Sequence, residues 1–467
     1  MTGLVWLAFA DLGVAIPTIA DDLGSDAQTL QWANNAFSLV CGALVIAAGR
    51  FGDELGRRRV LLVGIVLFAL CTVVGAVADG VGGLIAGRAL MGIGAALILP
   101  TTLGLIPPQF SGRAALTAFG AWQATAWGGQ AVAPAIGGLV TETFGWRWLF
   151  WLNLPVALVA LPVIRAVTPE ARDDADRPLR VDVPGIVTIG LAAFCLLYAL
   201  TEGPEAGWGD PLVVALAVTA VVAGVGWCLI ERRAADPLVD LALFRRRTLD
   251  GALVANIMAN LLFAGSMFLL VVWLQDDRGY SALQAGLLTL PSAVGIFAGI
   301  PFGNRLDAST GSRRPTLLGL VIVGAGVGVL GFLDDSIPIA VVGVALVIVG
   351  LGIGIMATPI SSAAVGGAPG ELAGTAAGVF KMSSMVGGAV GVALLTGLDH
   401  ELSVGVGALV TAALALVSML VVVAVWPAEE RRATVAHGRS VGDVDDPLVA
   451  IGARALDGPA PGLREPA

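Results

Sequence analysis

The sequence has few charged residues and very few tyrosines and histidines. Only 13% of its 467 residues are charged, and it contains 2 Tyr and 2 His. Soluble globular domains carry about 25% charged residues, so a soluble fold does not fit this composition. His400 and His437 both lie outside the apolar runs. A membrane-embedded enzyme, which would need a nucleophile or metal constellation, is therefore not indicated.

The sequence also lacks signs of redox, metal or ATP-driven chemistry. Its four cysteines, Cys41, Cys71, Cys195 and Cys228, stand singly in apolar stretches, without a C-x-x-C pair, and this favours a packing role. There is no Gly-x-x-x-x-Gly-Lys loop to cradle a phosphate. The net charge of −9 is spread over short loops and the C-terminal tail. We expect no cofactor, no metal and no nucleic-acid partner.

Long apolar runs are what the chain does have. Residues are 57% hydrophobic and the mean hydropathy is +0.88. Fourteen runs reach the length of about 17 to 25 residues that crosses a bilayer. They lie near 2–19, 30–49, 60–78, 83–106, 115–140, 148–166, 184–201, 211–230, 249–275, 283–302, 315–333, 337–358, 372–396 and 403–426. This pattern predicts an all-α membrane protein of about 14 transmembrane helices.

The runs group as six, two and six, which predicts the domain organisation. Residues 1–166 would form a first six-helix bundle, 167–248 two additional central helices, 249–426 a second bundle, and 427–467 a disordered cytoplasmic tail. The first run lacks a charged lead and a cleavage site, so it is interpreted as a retained span rather than a signal peptide. The chain begins almost at this run, which leaves a truncated or misassigned start open.

Arginine is distributed unevenly among the predicted loops. Seventeen arginines fall in alternate loops, whereas the intervening loops hold only Arg147 and Arg278. Because cytoplasmic loops retain Lys and Arg, this pattern predicts a multi-pass protein of the bacterial cytoplasmic membrane with both termini in the cytoplasm.

A basic glycine-containing loop occurs twice. The first copy runs from Gly49 to Arg59 and the second begins at Gly303. Its predicted gate residues are Gly49, Asp53, Gly56, Arg57, Arg58 and Asp307. A generic basic turn would explain either loop alone, but recurrence at corresponding places of two six-span halves indicates a duplicated architecture.

The loop Gly49–Arg59 resembles the signature of the major facilitator superfamily between its second and third helices. Arg88, in Gly87-Arg88-Ala89-Leu90-Met91-Gly92, resembles a fourth-helix residue that family members use in proton coupling. The fifth run is similar to the antiporter motif of exporters, with Ala133 where glycine is usual. The motif residues are Gly120, Gly129, Pro134, Gly137 and Gly138. With Trp146–Pro155, Gln275–Pro291 and the extra pair of runs, the chain resembles the 14-helix drug:proton antiporters over about residues 1–426.

The sequence departs from that family at several positions. Ala8 stands where the family's first helix usually carries an acid, and Asp11 follows three residues later, on nearly the same face of a continuous helix. We interpret Asp11 as a displaced proton carrier. Glu54 replaces a residue that is usually basic. In the thirteenth run, the family commonly has an asparagine and an Arg-Gln pair where this chain has Lys381, Ser384 and Met385.

Charges inside the predicted spans require a partner, water or a function, because each costs about 2.5 to 3.5 kcal/mol even on mild scales. We expect Asp11 to pair with Arg88 and to release it on protonation. The alternative is that Arg88 caps backbone carbonyls and Asp11 only borders a water pocket. Lys381 lies near the midplane, and with Arg88 and Asp11 it gives the core a net positive charge, which suits an anionic or zwitterionic substrate.

Amides within the spans are candidates for the wall of a substrate cavity, because lipid-facing amides are costly. The candidates, with the buried lysine, are Asn34, Asn35, Gln123, Gln130, Asn256, Asn260, Gln275 and Lys381. Some of these amides could instead join helices. Trp122 and Trp127 could stack on a flat substrate, or could serve as interfacial anchors or packing residues.

The resemblance implies proton-coupled efflux of small, largely hydrophobic drugs or natural products by alternating access. Its partners would be the substrate, protons and the lipid bilayer, and the chain would act as a monomer. Uptake of a metabolite by the same fold is the first alternative, against which the glycines of the fifth run argue. A membrane enzyme or a non-transporting receptor is a further alternative.

Overall fold

A computed structural model describes residues 2–9, 11–168, 182–234, 236–331, 337–399 and 404–426. Residues 1–427 form one compact unit. The predicted tail at 427–467 and both histidines lie outside the described residues.

The described ranges contain α-helices, short 3₁₀ and π turns, and no strand. The helices are α1 (Thr2–Leu7), α2 (Asp11–Leu23), α3 (Ala27–Leu55), α4 (Arg57–Ala76), α5 (Val81–Gly104), α6 (Ile106–Gln109), α7 (Gly112–Phe144), α8 (Trp148–Trp151), α9 (Asn153–Val167), α10 (Val183–Ala206), α11 (Pro211–Glu231), α12 (Arg247–Val272), α13 (Ala282–Thr310), α14 (Arg313–Leu330), α15 (Ile339–Ser361), α16 (Ala373–Asp399) and α17 (Val404–Val425). The turns are 3₁₀ at Leu241–Arg245 and Gly370–Leu372, and π-helical at Trp273–Asp277 and Ser362–Gly366. The prediction of an all-α fold is confirmed.

Each predicted apolar run has a helical counterpart. Among the described residues, eleven helices are long and apolar enough to cross a membrane. The remaining three runs correspond to the pair α1 and α2, to α7 and to α17. Helix α7 is long, but it carries amides, threonines and tryptophans that make it less apolar than its neighbours.

The first run differs from its prediction. It does not form one helix over 2–19, because α1 ends at Leu7 and Ala8 and Phe9 form a turn. The Ala8 carbonyl accepts a hydrogen bond of 2.7 Å from the Arg88 guanidinium. An external donor therefore satisfies a carbonyl that a broken helix leaves open, as interrupted membrane helices require. Ala8 and Asp11 therefore do not lie on one face of a continuous helix, since α1 ends before Ala8 and α2 begins at Asp11.

The additional pair α10 and α11 has one packed member and one outer member. The Tyr198 ring of α10 lies 4.8 Å from the Trp32 ring of α3. Helix α11 instead exposes a row of valines, including Val218, Val221 and Val225. An apolar surface of this kind is stable against hydrocarbon and not against water.

Helices α13 and α15 make a close backbone contact through glycine. Gly295, Gly299 and Gly303 are four residues apart, so they share one face of α13. A Cβ atom built on Gly299 would lie 2.5 Å from the Leu351 carbonyl oxygen. Small residues at such positions let two backbones approach and gain dispersion contact, which is the main attraction between helices in lipid.

We predict that Gly299→Val destabilises the fold by about 1 to 3 kcal/mol, because the branched side chain would overlap the α15 backbone. Thermal unfolding of the purified protein in detergent measures the effect. Gly328→Val on α14 is the matched control, since no heavy atom lies within 4 Å of a Cβ built there. Equal unfolding temperatures for the two variants would refute the packing argument.

Candidate functional site

Helices α1, α7, α12 and α16 enclose a small cavity. Its wall is formed by Trp6, Gln123, Ala126, Trp127, Gln130, Asn256, Asn260, Phe380, Lys381 and Ser384. Its volume is about 10 Å³, room for about one water molecule, which is far below the range of about 300 to 1,000 Å³ for pockets that hold drug-sized ligands. The wall combines aromatic rings with amides, so it offers stacking surface and hydrogen-bonding groups. These helices must separate to admit a drug-sized molecule.

The structure brings together only some of the predicted cavity residues. Gln123, Gln130, Asn256, Asn260 and Lys381 are in the wall. Asn34 and Asn35 lie on α3 and Gln275 lies in the π-helical turn after α12, and none of the three is in the wall.

Sequence reasoning missed Trp6 and Phe380 as cavity residues. Both are aromatic residues in apolar runs, and their type does not distinguish a cavity wall from ordinary packing. The cavity appears only when α1, α7, α12 and α16 are assembled.

Two residues of α7 link it to helices of the second predicted bundle. The Gln123 side-chain amide donates a 2.7 Å hydrogen bond to the Ala357 carbonyl of α15, and Gln123 is 3% exposed. The Trp127 ring meets the Phe263 ring of α12 edge to face at 5.2 Å. Separation of the predicted bundles would break both contacts.

Asn256 joins α12 to α16. Its side-chain nitrogen donates to the Phe380 carbonyl at 3.0 Å and contacts the hydroxyl oxygens of Ser383 and Ser384 at 2.8 and 2.7 Å. Asn260 in turn donates to the Asn256 side-chain oxygen at 3.2 Å. Buried polar groups are stable only when satisfied in this way, so one candidate cavity amide also has a helix-joining role.

Lys381 is buried in the cavity wall among aromatic rings. Its Nζ lies 4.0 Å from the centre of the Trp6 ring, 5.4 Å from that of Trp122 and 5.9 Å from that of Phe380. The residue is 4% exposed. Aromatic faces attract a cation through their quadrupole, by about 2 kcal/mol or more when it is desolvated. Among the described side chains, no carboxylate forms a salt bridge with Lys381.

Arg88 is 1% exposed and connects α5 to two other segments. Its guanidinium donates to the carbonyls of Ala8 and Ala33 at 2.7 and 3.3 Å and to the Asn34 side-chain oxygen at 2.8 Å. It also lies 4.6 Å from the centre of the Phe37 ring. Arg88 therefore caps backbone carbonyls of two segments and an amide oxygen, and these bonds join α5 to α3 and to the end of α1.

The predicted proton carrier, Asp11, begins α2. Its side chain lies outside the described part of the structure, so the pairing of Asp11 with Arg88 stays a prediction.

Asp53 closes the arginine-rich end of the helices, meaning the end that carries Arg57, Arg58 and the start of α16. Its carboxylate accepts from the backbone N–H groups of Gly374 and Thr375 at 2.9 and 2.7 Å, and from the Thr375 hydroxyl at 2.8 Å. These are the first residues of α16. Asp53 thus caps a helix that belongs to the other predicted bundle, and the helix dipole favours its negative charge.

The rest of the first basic loop supports this contact. Arg57 pairs with Asp53 at 2.5 Å and donates to the Gly370 carbonyl at 2.6 Å. Arg58 donates to the Arg165 carbonyl at 2.8 Å. Gly56 joins α3 to α4 with φ +92°, a conformation that favours glycine. Gly49 packs directly against the Gly374 backbone, where a side chain would not fit.

The second loop behaves differently from the first. Asp307 accepts from the Ser312 hydroxyl at 2.8 Å and from the Ser362 hydroxyl at 3.0 Å, and both serines belong to its own predicted bundle. The contact with α7 is made instead by Asn304, which donates to the Leu116 carbonyl at 3.4 Å. The first aspartate of the duplicated motif therefore joins the two predicted bundles by capping α16.

The motif of α7 places small residues against two neighbours. A Cβ atom built on Gly120 would lie 2.6 Å from the side-chain nitrogen of Asn304, and one built on Gly138 would lie 2.6 Å from Cδ1 of Leu283. Asn304 and Leu283 are both on α13. Pro134 packs against Gly286 of the same helix. Gly129 faces Gly3 of α1, and Gly137 is buried. The motif therefore lets α7 approach α13 closely over much of its length.

At the opposite end, Asp22 bonds to the loop before α8. The guanidinium of Arg147 lies 2.6 Å from its carboxylate and the Trp146 indole nitrogen donates at 3.0 Å. Asp22 lies beyond residue 19, where the first predicted span ends. The hydrogen bond from Arg147 is the main reason that the pKa of Asp22 is lower than its ordinary value. Its contribution to stability is therefore present at neutral pH and declines as the pH falls through that lowered pKa.

Comparisons with known proteins agree with this architecture. The sequence profile of the Major Facilitator Superfamily matches residues 1–392. Relatives include the quinolone resistance protein NorB of Staphylococcus aureus strains MRSA252 and MW2, each 32% identical over 391 residues, which is 83% of this chain and 84% of the relative.

Two solved structures share the fold. The human organic anion transporter MFSD10 (TETRAN) matches with a TM-score of 0.66 at 15% identity, over 90% of this chain and 96% of its own. The proton:xylose symporter XylE matches with a TM-score of 0.61 at 15% identity, over 90% and 92%. At this identity the likeness concerns the fold alone.

The long apolar helices make this a multi-pass membrane protein, and its match to the superfamily profile and to its relatives makes it a transporter rather than an enzyme. The chain belongs to the major facilitator superfamily.

We predict that Asp53→Asn loosens the arginine-rich end. Loss of a charge-assisted helix cap costs about 1 to 2 kcal/mol, which moves a two-state equilibrium about tenfold toward separation. Spin labels at Arg59 and Glu371, in a background with the four cysteines replaced by serine, would report a larger population of long distances.

Glu54→Gln is the matched control for Asp53→Asn. It removes a carboxylate one residue further along, whose salt bridge to Arg50 at 2.6 Å stays within α3. If Glu54→Gln separated the labels as much as Asp53→Asn, the capping explanation would be wrong.

Proposed function

We propose that this transporter exports small, largely hydrophobic drugs or natural products across the bacterial cytoplasmic membrane in exchange for protons. The observation that carries the proposal is the cavity of aromatic rings and amides between helices of both predicted bundles, closed at the arginine-rich end by Asp53. The relatives at 32% identity are named for quinolone resistance, which supports drug efflux as the direction of transport.

Alternating access follows from where the bundles touch. The arginine-rich end is held by Asp53 at the start of α16, while Gln123 and Trp127 cross the middle. Each of these contacts is a hydrogen bond or a ring contact of modest net free energy, of the order of 1 kcal/mol. Substrate and proton binding can therefore shift the balance between a state closed at this end and one open there.

In this scheme the arginine-rich end faces the cytoplasm and both termini are cytoplasmic. The described conformation is then closed to the cytoplasm. We propose that the protein works as a monomer within the lipid bilayer, as the 14-helix drug:proton antiporter type to which its sequence is similar.

In the proposed coupling, Asp11 carries the proton. Deprotonated Asp11 pairs with Arg88 and releases it on protonation. Arg88 binds the Ala8 carbonyl, three residues before Asp11 begins α2. Arg88 also donates to Ala33 and Asn34 of α3. A change in the charge of Asp11 would therefore change the electrostatic interactions where α1, α2, α3 and α5 meet. The cost of an unpaired carboxylate in hydrocarbon makes protonation of Asp11 and the movement of these helices interdependent.

We predict that Asp11→Asn abolishes export driven by a pH gradient, with a loss of at least tenfold in the initial rate. The amide is of similar size, but it cannot release a proton. Proteoliposomes with an imposed pH gradient and a panel of fluorescent drugs measure both drug flux and proton flux.

Asp22→Asn is the control, since it neutralises another aspartate of α2 that pairs with Arg147 at the end of that helix. It should retain export. Accumulation rather than export by the wild type would indicate uptake, and gradient-driven export by Asp11→Asn would contradict the role of Asp11.

A further inference from the structure

We propose that Lys381 and the Trp6 indole N–H form a subsite for a carboxylate on a flat aromatic substrate. This assigns a substrate class to the cavity and rests on the efflux function proposed above. The net charge of the core favours an anion in general, whereas the positions of Lys381 and Trp6 in the cavity wall specify where its carboxylate would bind.

Lys381 is the only lysine of the 467 residues, since every other basic residue among the 26 Lys and Arg is an arginine. It lies in the cavity wall and not at the arginine-rich end. Lysine and arginine differ in that lysine presents a compact charge with three donors, while arginine is the better partner for carbonyls and for bidentate pairs. This single lysine therefore lies where a ligand in the cavity would meet its ammonium group.

The ammonium has aromatic neighbours in place of an anion. The Trp6 and Trp122 rings lie 4.0 and 5.4 Å from Nζ, and within the described part of the chain the lysine nitrogen donates no hydrogen bond. Aromatic faces stabilise the charge, but they leave N–H groups without an oxygen acceptor. A desolvated ammonium in this condition gains most from an anionic oxygen.

Trp6 is the second donor of the same wall. It is 8% exposed, and its Nε1 is buried without a hydrogen-bond partner. An unsatisfied buried N–H costs about 1 to 3 kcal/mol, and most buried indoles find an acceptor. Two side chains of one cavity wall therefore carry donors without an oxygen acceptor, and a ligand with adjacent acceptor oxygens would satisfy both.

The rest of the wall specifies the remainder of the ligand. Trp127 and Phe380 offer ring faces or edges, and Gln130 and Asn260 offer amides. Aromatic side chains prefer flat aromatic partners in offset or edge-to-face arrangements. A planar aromatic acid combines the apolar body and the carboxylate that this wall fits.

The test uses a matched pair of probes, 2-naphthoic acid and its neutral primary amide, 2-naphthamide. Binding to the purified full-length protein is measured by calorimetry at pH 7.5. We expect the wild type to bind the acid at least tenfold more tightly than the amide. Lys381→Met should lose this preference while binding the amide within twofold of wild type, and Lys381→Arg should keep most of the preference.

Two tryptophan variants provide the matched comparison. Trp6→Phe keeps a ring but removes the indole N–H, so acid binding should weaken about threefold to tenfold and amide binding should not change. Trp127→Phe makes the same chemical change at another place in the wall, and should affect acid and amide equally. An equal effect of Trp6→Phe on both probes would overturn the role of its N–H.

The single lysine allows a readout that does not depend on affinity. Reductive methylation with ¹³C-formaldehyde labels only Lys381 and the terminal amine, and the NMR signal of the dimethylated lysine should shift with the acid and not with the amide. A wild type that binds both probes equally, or does not bind the acid, overturns the carboxylate subsite. Export of the drug panel by that same wild type would leave the efflux proposal standing, whereas absence of gradient-driven export would refute efflux instead.

Discussion

The cost of placing a charge in hydrocarbon governs this structure. Arg88 and Lys381 are 1% and 4% exposed, and neither could remain charged there without compensation. The two residues are compensated differently. Arg88 reaches carbonyls and an amide on neighbouring segments, whereas Lys381 is surrounded by ring faces. The first arrangement fixes a break between two helices, and the second places a cation in the wall of a cavity.

The break after α1 shows how one buried charge shapes the backbone around it. A carbonyl released from a helix inside a membrane has no water to bond, so it must find a protein donor. The Arg88 guanidinium provides that donor for Ala8 and holds Ala33 of α3 at the same time. The position of α1, and with it Trp6 in the cavity wall, therefore depends on an arginine that lies on α5.

Much of the fold could be predicted from the sequence, because apolar runs of span length allow few structures other than helices. The buried charges and the first basic loop were also recognisable, since arginine, lysine and aspartate in such places require a reason. The break at Ala8 could not be predicted from an uninterrupted apolar run. Trp6 and Phe380 could not be assigned to the cavity, and the partners of Asp53 at the start of α16 lie 321 and 322 residues away in sequence.

The two copies of the basic loop have diverged in their contacts while keeping their aspartates. Asp53 bonds to two backbone N–H groups of α16, but Asp307 bonds to the hydroxyls of Ser312 and Ser362 near its own helix. A carboxylate that caps a helix of the other predicted bundle resists separation of the bundles, whereas the bonds from Ser312 and Ser362 join elements of one predicted bundle. Opening at this end must therefore break the cap that Asp53 makes on α16. The cap on α16 is a stronger contact than the one between Asn304 and α7. A carboxylate oxygen at 2.7 Å from an N–H makes a better hydrogen bond than an amide nitrogen at 3.4 Å from a carbonyl oxygen.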